Sequence, residues 1–127
     1  MVLQESGEMY LETIYVLSHK KKFVRAIDIG AEMGVTRPSV SRAVHLLEEG
    51  GFLSIEESSG ITLTELGQEL AAKIYERHLV MTQYFISLGV DAETASNDAC
   101  RIEHVISDES FFAVKNHLMR LEHEKKE

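Results

Sequence analysis

The chain has 127 residues, 44% of them apolar and 27% charged, with one Pro, no Trp, one Cys and a formal net charge of −8 at pH 7. That length sets one or two small domains, and the mix excludes intrinsic disorder, a collagen-like chain and a disulfide scaffold. With a single Cys, Cys100, the chain cannot form an intrachain disulfide, which points to the reducing cytoplasm.

Low Pro and plentiful Leu, Glu, Ala and Lys predict a mostly helical chain. Met1–Glu8 lacks a basic flank and a long apolar run, so it does not read as a signal peptide. No stretch approaches the roughly 20 apolar residues of a membrane span, and no membrane partner is expected. Residues 8–17 place Tyr10, Ile14 and Leu17 on one face of a helix, with Leu11 beside them, and His19-Lys20-Lys21-Lys22 ends it with positive charge. A short helix is expected over Ala26–Met33, broken by Gly34. Thr36-Arg37-Pro38-Ser39 opens a third, with Pro38 in its first turn and Arg37 before it expected outside the α region. Val40, Val44 and Leu47 give that helix its apolar face, and Gly50-Gly51 closes it.

Residues 52–56 and 61–64 alternate apolar and polar around Glu57-Ser58-Ser59-Gly60, which predicts an antiparallel hairpin. Thr64 then starts a long helix to about Leu88. After the turn at Gly89-Val90-Asp91, helices are expected over about 92–106 and 109–122, followed by a polar, frayed tail at 122–127.

Helix, Gly-containing turn, helix and hairpin is the order of a winged helix-turn-helix. Charge supports a phosphate-facing end: residues 1–45 carry net +1, with Lys20, Lys21, Lys22, Arg25, Arg37 and Arg42, whereas 46–90 and 91–127 carry −5 and −4. With Val40, Val44 and Leu47 inward, Arg37, Ser39, Ser41, Arg42 and His45 remain on the other face, with no acid among them. Arg reads guanine edges and Ser binds phosphate or base. Thr36, Arg37, Pro38, Ser39, Ser41, Arg42, His45 and, on the wing, Ser59 are the candidate DNA-binding residues. A helical hairpin with a merely solvated polar face is the alternative.

Cys100, Glu103 and His104 stand at i, i+3 and i+4. On a continuous helix the second and third fall about −60° and +40° from the first, on one side. Thiolate, carboxylate and imidazole converging there suit a divalent transition ion. Met9 and Glu12, at i and i+3 on the first helix, offer a thioether and a second carboxylate, and His78 is a further candidate. The structural alternative makes Cys100 a small buried hydrophobe, Met9 core filler and Glu103 and His104 surface groups. His19, His117 and His123 read as surface histidines.

These stretches resemble the iron-dependent repressor family, which includes the diphtheria toxin repressor and the manganese transport regulators. The resemblance lies in residues 8–15, the helix-turn-helix at 35–47, the wing running into 63–67 and, most specifically, 98–109, and covers about residues 7–118. It implies a mainly α fold: a winged helix-turn-helix domain over 1–72 and a helical dimerisation and metal-binding domain over 73–127, in a short form without the SH3-like domain of longer members. It implies a homodimeric, metal-activated repressor of metal-homeostasis genes, on a palindromic double-stranded operator, with no small-molecule substrate and no enzymatic activity.

Met9, Cys100, Glu103 and His104 match the activating site of iron-type members. Glu12 matches a manganese-type ligand where an iron-type repressor has Arg, and His78 matches a histidine ligand of both groups. Thr82 and Ser96 stand where the second iron-type site uses a carboxylate and a histidine, so that site is not expected in this form. Manganese-type members have carboxylates where Met9 and Cys100 stand. Soft Met9 and Cys100 place Fe2+ ahead of Mn2+, with Co2+, Ni2+ and Zn2+ as substitutes, while hard Glu12 pulls the other way. The expected mechanism joins the two domains through the ion, so that metal favours the DNA-competent arrangement; tenfold tighter DNA binding needs only about 1.4 kcal/mol of coupling. Three alternatives remain open: a winged-helix regulator without metal sensing, its Cys100 redox-active or structural; a metalloenzyme with Glu103 as general base; and a protein-binding adaptor built on the winged helix.

Overall fold

The computed structural model describes residues 3–126. In chain order the elements are α1 (Glu5–Lys20), α2 (Ala26–Met33), α3 (Arg37–Glu49), β1 (Leu53–Glu56), β2 (Gly60–Leu63), α4 (Glu65–Ser87), α5 (Ala92–Ile102) and α6 (Asp108–Lys126). The chain divides between Lys73 and Ile74, inside α4, into two compact units. No helix among the described residues is long and apolar enough to cross a membrane.

The N-terminal unit is a winged helix-turn-helix. α1 buries Tyr10, Leu11, Ile14 and Leu17, a stripe at helical spacing. Its core also takes Ile29 from α2, Val40, Val44 and Leu47 from α3, and Phe52, Leu53 and Ile61 from the hairpin. α2 starts where the Asp28 carboxylate accepts a hydrogen bond from the Arg25 N–H at 2.9 Å. The Lys21 ammonium donates to the other oxygen at 2.9 Å. The Lys21 hydrogen bond, and then that from the Arg25 N–H, hold the Asp28 carboxyl below its ordinary pKa. Gly34, with φ +69°, ends α2 in the left-handed conformation that suits glycine.

α3 includes Arg37, which the proline rule puts outside the helix. Thr36 is the N-cap and its hydroxyl accepts from the Ser39 N–H, so the capped first turn outweighs the strain before Pro38. The wing pairs Leu53 with Leu63, Ser54 with Thr62, Ile55 with Ile61 and Glu56 with Gly60. β1 starts one residue later than expected, because Phe52 N–H donates to Leu47 O at the end of α3, and β2 runs one residue earlier than expected.

The C-terminal unit packs the distal part of α4 with α5 and α6 around Met81, Ala99 and Phe111, flanked by Val80, Phe85, Ile102, Ile106 and Val114. Asp91 caps α5, accepting from the Thr94 N–H at 3.1 Å and the Thr94 hydroxyl at 2.7 Å. Ser107 caps α6 through its hydroxyl and the Ser110 N–H. Three expectations change here. α5 stops at Ile102, not near 106, and residues 103–105 form a turn. α6 begins at Asp108 and continues to Lys126, so the expected fraying at 122 is not observed; Glu127 lies outside the described residues. His117 is half-buried, its Nδ1 2.8 Å from the Tyr84 hydroxyl, rather than a surface group.

Gly67 marks the tightest contact in the N-terminal unit. Thr64 caps α4 by accepting from the Gly67 N–H and donating to Gly51 O. A Cβ at Gly67 would lie 1.9 Å from Phe52 O. Alanine normally favours a helix over glycine by about 1 kcal/mol. Gly67→Ala should instead lower stability, by about 1–3 kcal/mol as for other overpacked sites. Urea unfolding checks the sign; a raised midpoint contradicts this packing.

Candidate metal centre and nucleic-acid face

The charged group buried most completely sits just past the end of α5. Glu103 is 1% exposed. Its backbone N–H still bonds Ala99 O at 2.9 Å, and its φ of −56° and ψ of −26° continue the helical path. His104 follows in the turn, its side chain fully buried. His78 comes from α4. His78 Nδ1 lies 3.0 Å from Glu103 Oε2, and His104 Nε2 lies 3.2 Å from Glu103 Oε1. Each carboxylate oxygen therefore faces one imidazole nitrogen.

Of the sequence candidates, His78, Glu103 and His104 are brought together. The turn takes His104 off the face of a continuing helix on which the spacing places it, whereas Glu103, the C-cap of α5, keeps a helical backbone. Burial displaces the surface-group alternative for both. Cys100, half-buried and in no disulfide, lies in the last turns of α5. Met9, 36% exposed, and half-buried Glu12 lie on α1 in the other unit, so Met9 is not core filler.

Two imidazoles and a carboxylate, gathered away from water, are a donor set that fits borderline divalent transition ions. Side chains that supply nitrogen and oxygen ligands also need orienting partners. Beside the cluster lies Arg77, which the sequence pattern does not single out. It is one of only two basic residues in 46–90, the other being Lys73, and that rarity was the available signal. Arg77 Nη1 donates to Ile106 O at 2.7 Å and to Glu103 O at 3.4 Å, and Nη2 pairs with the Asp108 carboxylate.

The N-terminal unit presents the second candidate surface. Thr36, Arg37, Pro38, Ser41, Arg42 and His45 are exposed on or beside α3, while Ser39 is half-buried. Thr36 and Ser39 hydroxyls lie 2.9 Å apart and take part in the cap. Ser59 is half-buried and its hydroxyl donates to Glu56 at 3.2 Å. A cleft of about 280 Å³ between α3 and the wing is lined by Arg25, Arg37, Ser41, His45, Ile55 and Gly60. Arg25, left out of the predicted contact residues, donates to Glu57 O at 3.3 Å and so ties the wing turn to the start of α2.

Two family models match in tandem: the iron dependent repressor N-terminal DNA binding domain over residues 2–61, and the metal binding and dimerisation domain over residues 64–126. The helix-turn-helix-type transcriptional regulator MntR of Lysinibacillus sphaericus is 36% identical over 102 residues, covering 80% of this chain and 73% of that protein. The chain belongs to the iron-dependent repressor family. An uncharacterised helix-turn-helix regulator of Methanocaldococcus jannaschii is 33% identical, with 84% of this chain and 87% of that one covered. Among solved structures, the manganese regulator SloR superposes with a TM-score of 0.80 at 28% identity, covering 88% of this chain and 53% of its own. This chain thus spans about half the length of SloR. These relatives are transcriptional regulators, not enzymes, and the family is one of metal-dependent repressors.

A ligand bound only by the folded state stabilises it by about 2.7 kcal/mol at a hundredfold excess over Kd. Thermal unfolding of the chelator-treated chain should therefore shift upward on adding Mn2+, and Glu103→Gln should lose most of that shift. Equal shifts in both proteins would leave the three residues as a buried polar cluster only.

Proposed function

We propose that this chain is a cytoplasmic, metal-activated transcriptional repressor that binds a palindromic operator as a homodimer and controls genes of metal homeostasis. The observation that carries this reading is the buried Glu103 carboxylate between the His78 and His104 imidazoles, in the segment matched by the metal binding and dimerisation domain. The acid-free face of α3 that exposes Arg37, Ser41, Arg42 and His45 supports the DNA-binding half.

His78, Glu103 and His104 hold the ion. Met9, Glu12 and Cys100 join them in this proposal on the sequence pattern. When bound, a divalent cation supplies positive charge to the buried carboxylate and a shared coordination shell for its ligands. Cys100 and Met9 favour Fe2+, whereas Glu12 and the likeness to the manganese regulator SloR favour Mn2+. We place Fe2+ first and Mn2+ beside it, with Co2+, Ni2+ and Zn2+ as substitutes. Arg37, Arg42, Ser41 and His45 supply phosphate and base-edge donors, Thr36, Pro38 and Ser39 set the start of the recognition helix, and Ser59 lies at the wing. In a homodimer, two such helices entering successive major grooves are about 34 Å apart, which requires a palindromic site.

The test is an anaerobic titration of operator DNA at fixed salt, with chelator and then with Fe2+, Mn2+ or Zn2+. Tight binding with metal alone is expected. Equal binding in every condition leaves a winged-helix regulator that does not sense metal, and overturns this reading. Arg42→Ala should weaken metal-loaded binding by about 1–3 kcal/mol if Arg42 reads a base; if it contacts phosphate, the loss is uniform across sequences and the salt slope falls by about one. Unchanged affinity and slope would remove Arg42 from the interface.

A further inference from the structure

Arg77 precedes His78 on α4 and is nearly buried, its side chain 11% exposed. Its guanidinium ends in the segment that leads from α5 to α6. Glu103 is the C-cap of α5, so its carbonyl stands at the negative end of the helix dipole, where a cation is favourable. Arg77 Nη1 takes Glu103 O and Ile106 O, and Nη2 takes the Asp108 carboxylate at the start of α6. The guanidinium carbon also lies 5.5 Å from the centre of the Phe111 ring, a cation–π contact. One side chain therefore bonds the backbone of a metal-centre residue, the backbone two residues beyond His104, and the first residue of the next helix.

The consequence is directional. His78 is fixed by α4 and Glu103 is the C-cap that ends α5, whereas His104 and Val105 run on through a turn that no regular helix sets. The turn folds back on the end of α5: Glu103 N–H donates to Ala99 O, and Val105 and Ile106 N–H groups both donate to Ile102 O, at 3.0 and 2.9 Å. We propose that Arg77 is a positioning residue for the metal centre: it holds the 103–108 segment against α4 so that Glu103 and His104 present their donors where His78 presents its own. This rests on the metal-centre reading given under Proposed function. Lysine cannot replace it, because an ammonium lacks the planar fork that serves two carbonyls and a carboxylate together.

The experiment uses the full chain with Arg77→Lys, Asp108→Asn and Glu103→Gln. Hydrogen exchange of the metal-free proteins is followed by residue, and Mn2+ affinity is measured by competition with a chromophoric chelator. Arg77→Lys should speed exchange at Val105 and Ile106 while the amides of α4 and mid-α6 stay protected. It should weaken Mn2+ binding by about 10–100-fold, the usual loss when an orienting partner of a ligand is removed. Asp108→Asn, which keeps the two carbonyl bonds, should move both quantities in the same direction by less, and it carries the test if Arg77→Lys does not fold. A merely structural Arg77 would raise exchange throughout the C-terminal unit and leave the affinity of the folded protein unchanged. That result, or wild-type exchange at 105–106, overturns the proposal. If wild type and Glu103→Gln bind Mn2+ equally, the metal-centre reading itself fails with Arg77 intact, and the proposal falls with it.

Discussion

A carboxylate away from water is costly unless donors or a cation meet it. In the C-terminal unit that constraint falls on Glu103, at 1% exposure. Its two oxygens face His78 from α4 and His104 from its own turn. A hydrophobic residue would fill the same volume without needing either histidine, so burial of the acid argues for a task beyond packing. The early stop of α5, the Arg77 contacts and the Ser107 cap of α6 all surround this one group.

The N-terminal unit follows from simpler rules. An apolar stripe on α1, a left-handed Gly34, a capped α3 and a short hairpin leave one face of α3 exposed. Its charge differs from that of the whole chain, which is why a protein of net charge −8 still offers a cationic surface. The wing is less simple. It carries Glu56 and Glu57 near Ser59, and Arg25 reaches its turn. Arg25 thus offsets, at the edge of the cleft beside α3, acids that would oppose DNA phosphates.

Much of this was legible in the sequence, for identifiable reasons. The stripe of Tyr10, Ile14 and Leu17 and the spacing of Val40, Val44 and Leu47 read directly as helix faces, and Gly34 and Asp91 mark ends by their local chemistry. His78, Glu103 and His104 were found as candidates because ligand-type residues stood close in the chain or matched a family pattern. Their mutual arrangement was not legible. The wheel assumed α5 to continue past 102, and nothing local in Glu103-His104-Val105 announces the turn. Arg77 was missed because its partners are two backbone carbonyls and Asp108. Carbonyls have no sequence signature, and a carboxylate 31 residues away has no helical spacing to reveal it.

Under the proposed function, the buried His78, Glu103 and His104 of one unit and the exposed face of α3 in the other are joined by a single thermodynamic link. Coupling free energy is reciprocal, so whatever factor the ion contributes to operator binding, the operator must return to ion binding. The most direct measurement is the Mn2+ or Fe2+ dissociation constant of the full chain with and without saturating operator DNA, at one salt concentration. The account predicts tighter metal binding in the presence of operator, by the same factor that metal tightens the operator. Identical metal affinity in both conditions would contradict it, whatever the cluster of His78, Glu103 and His104 holds.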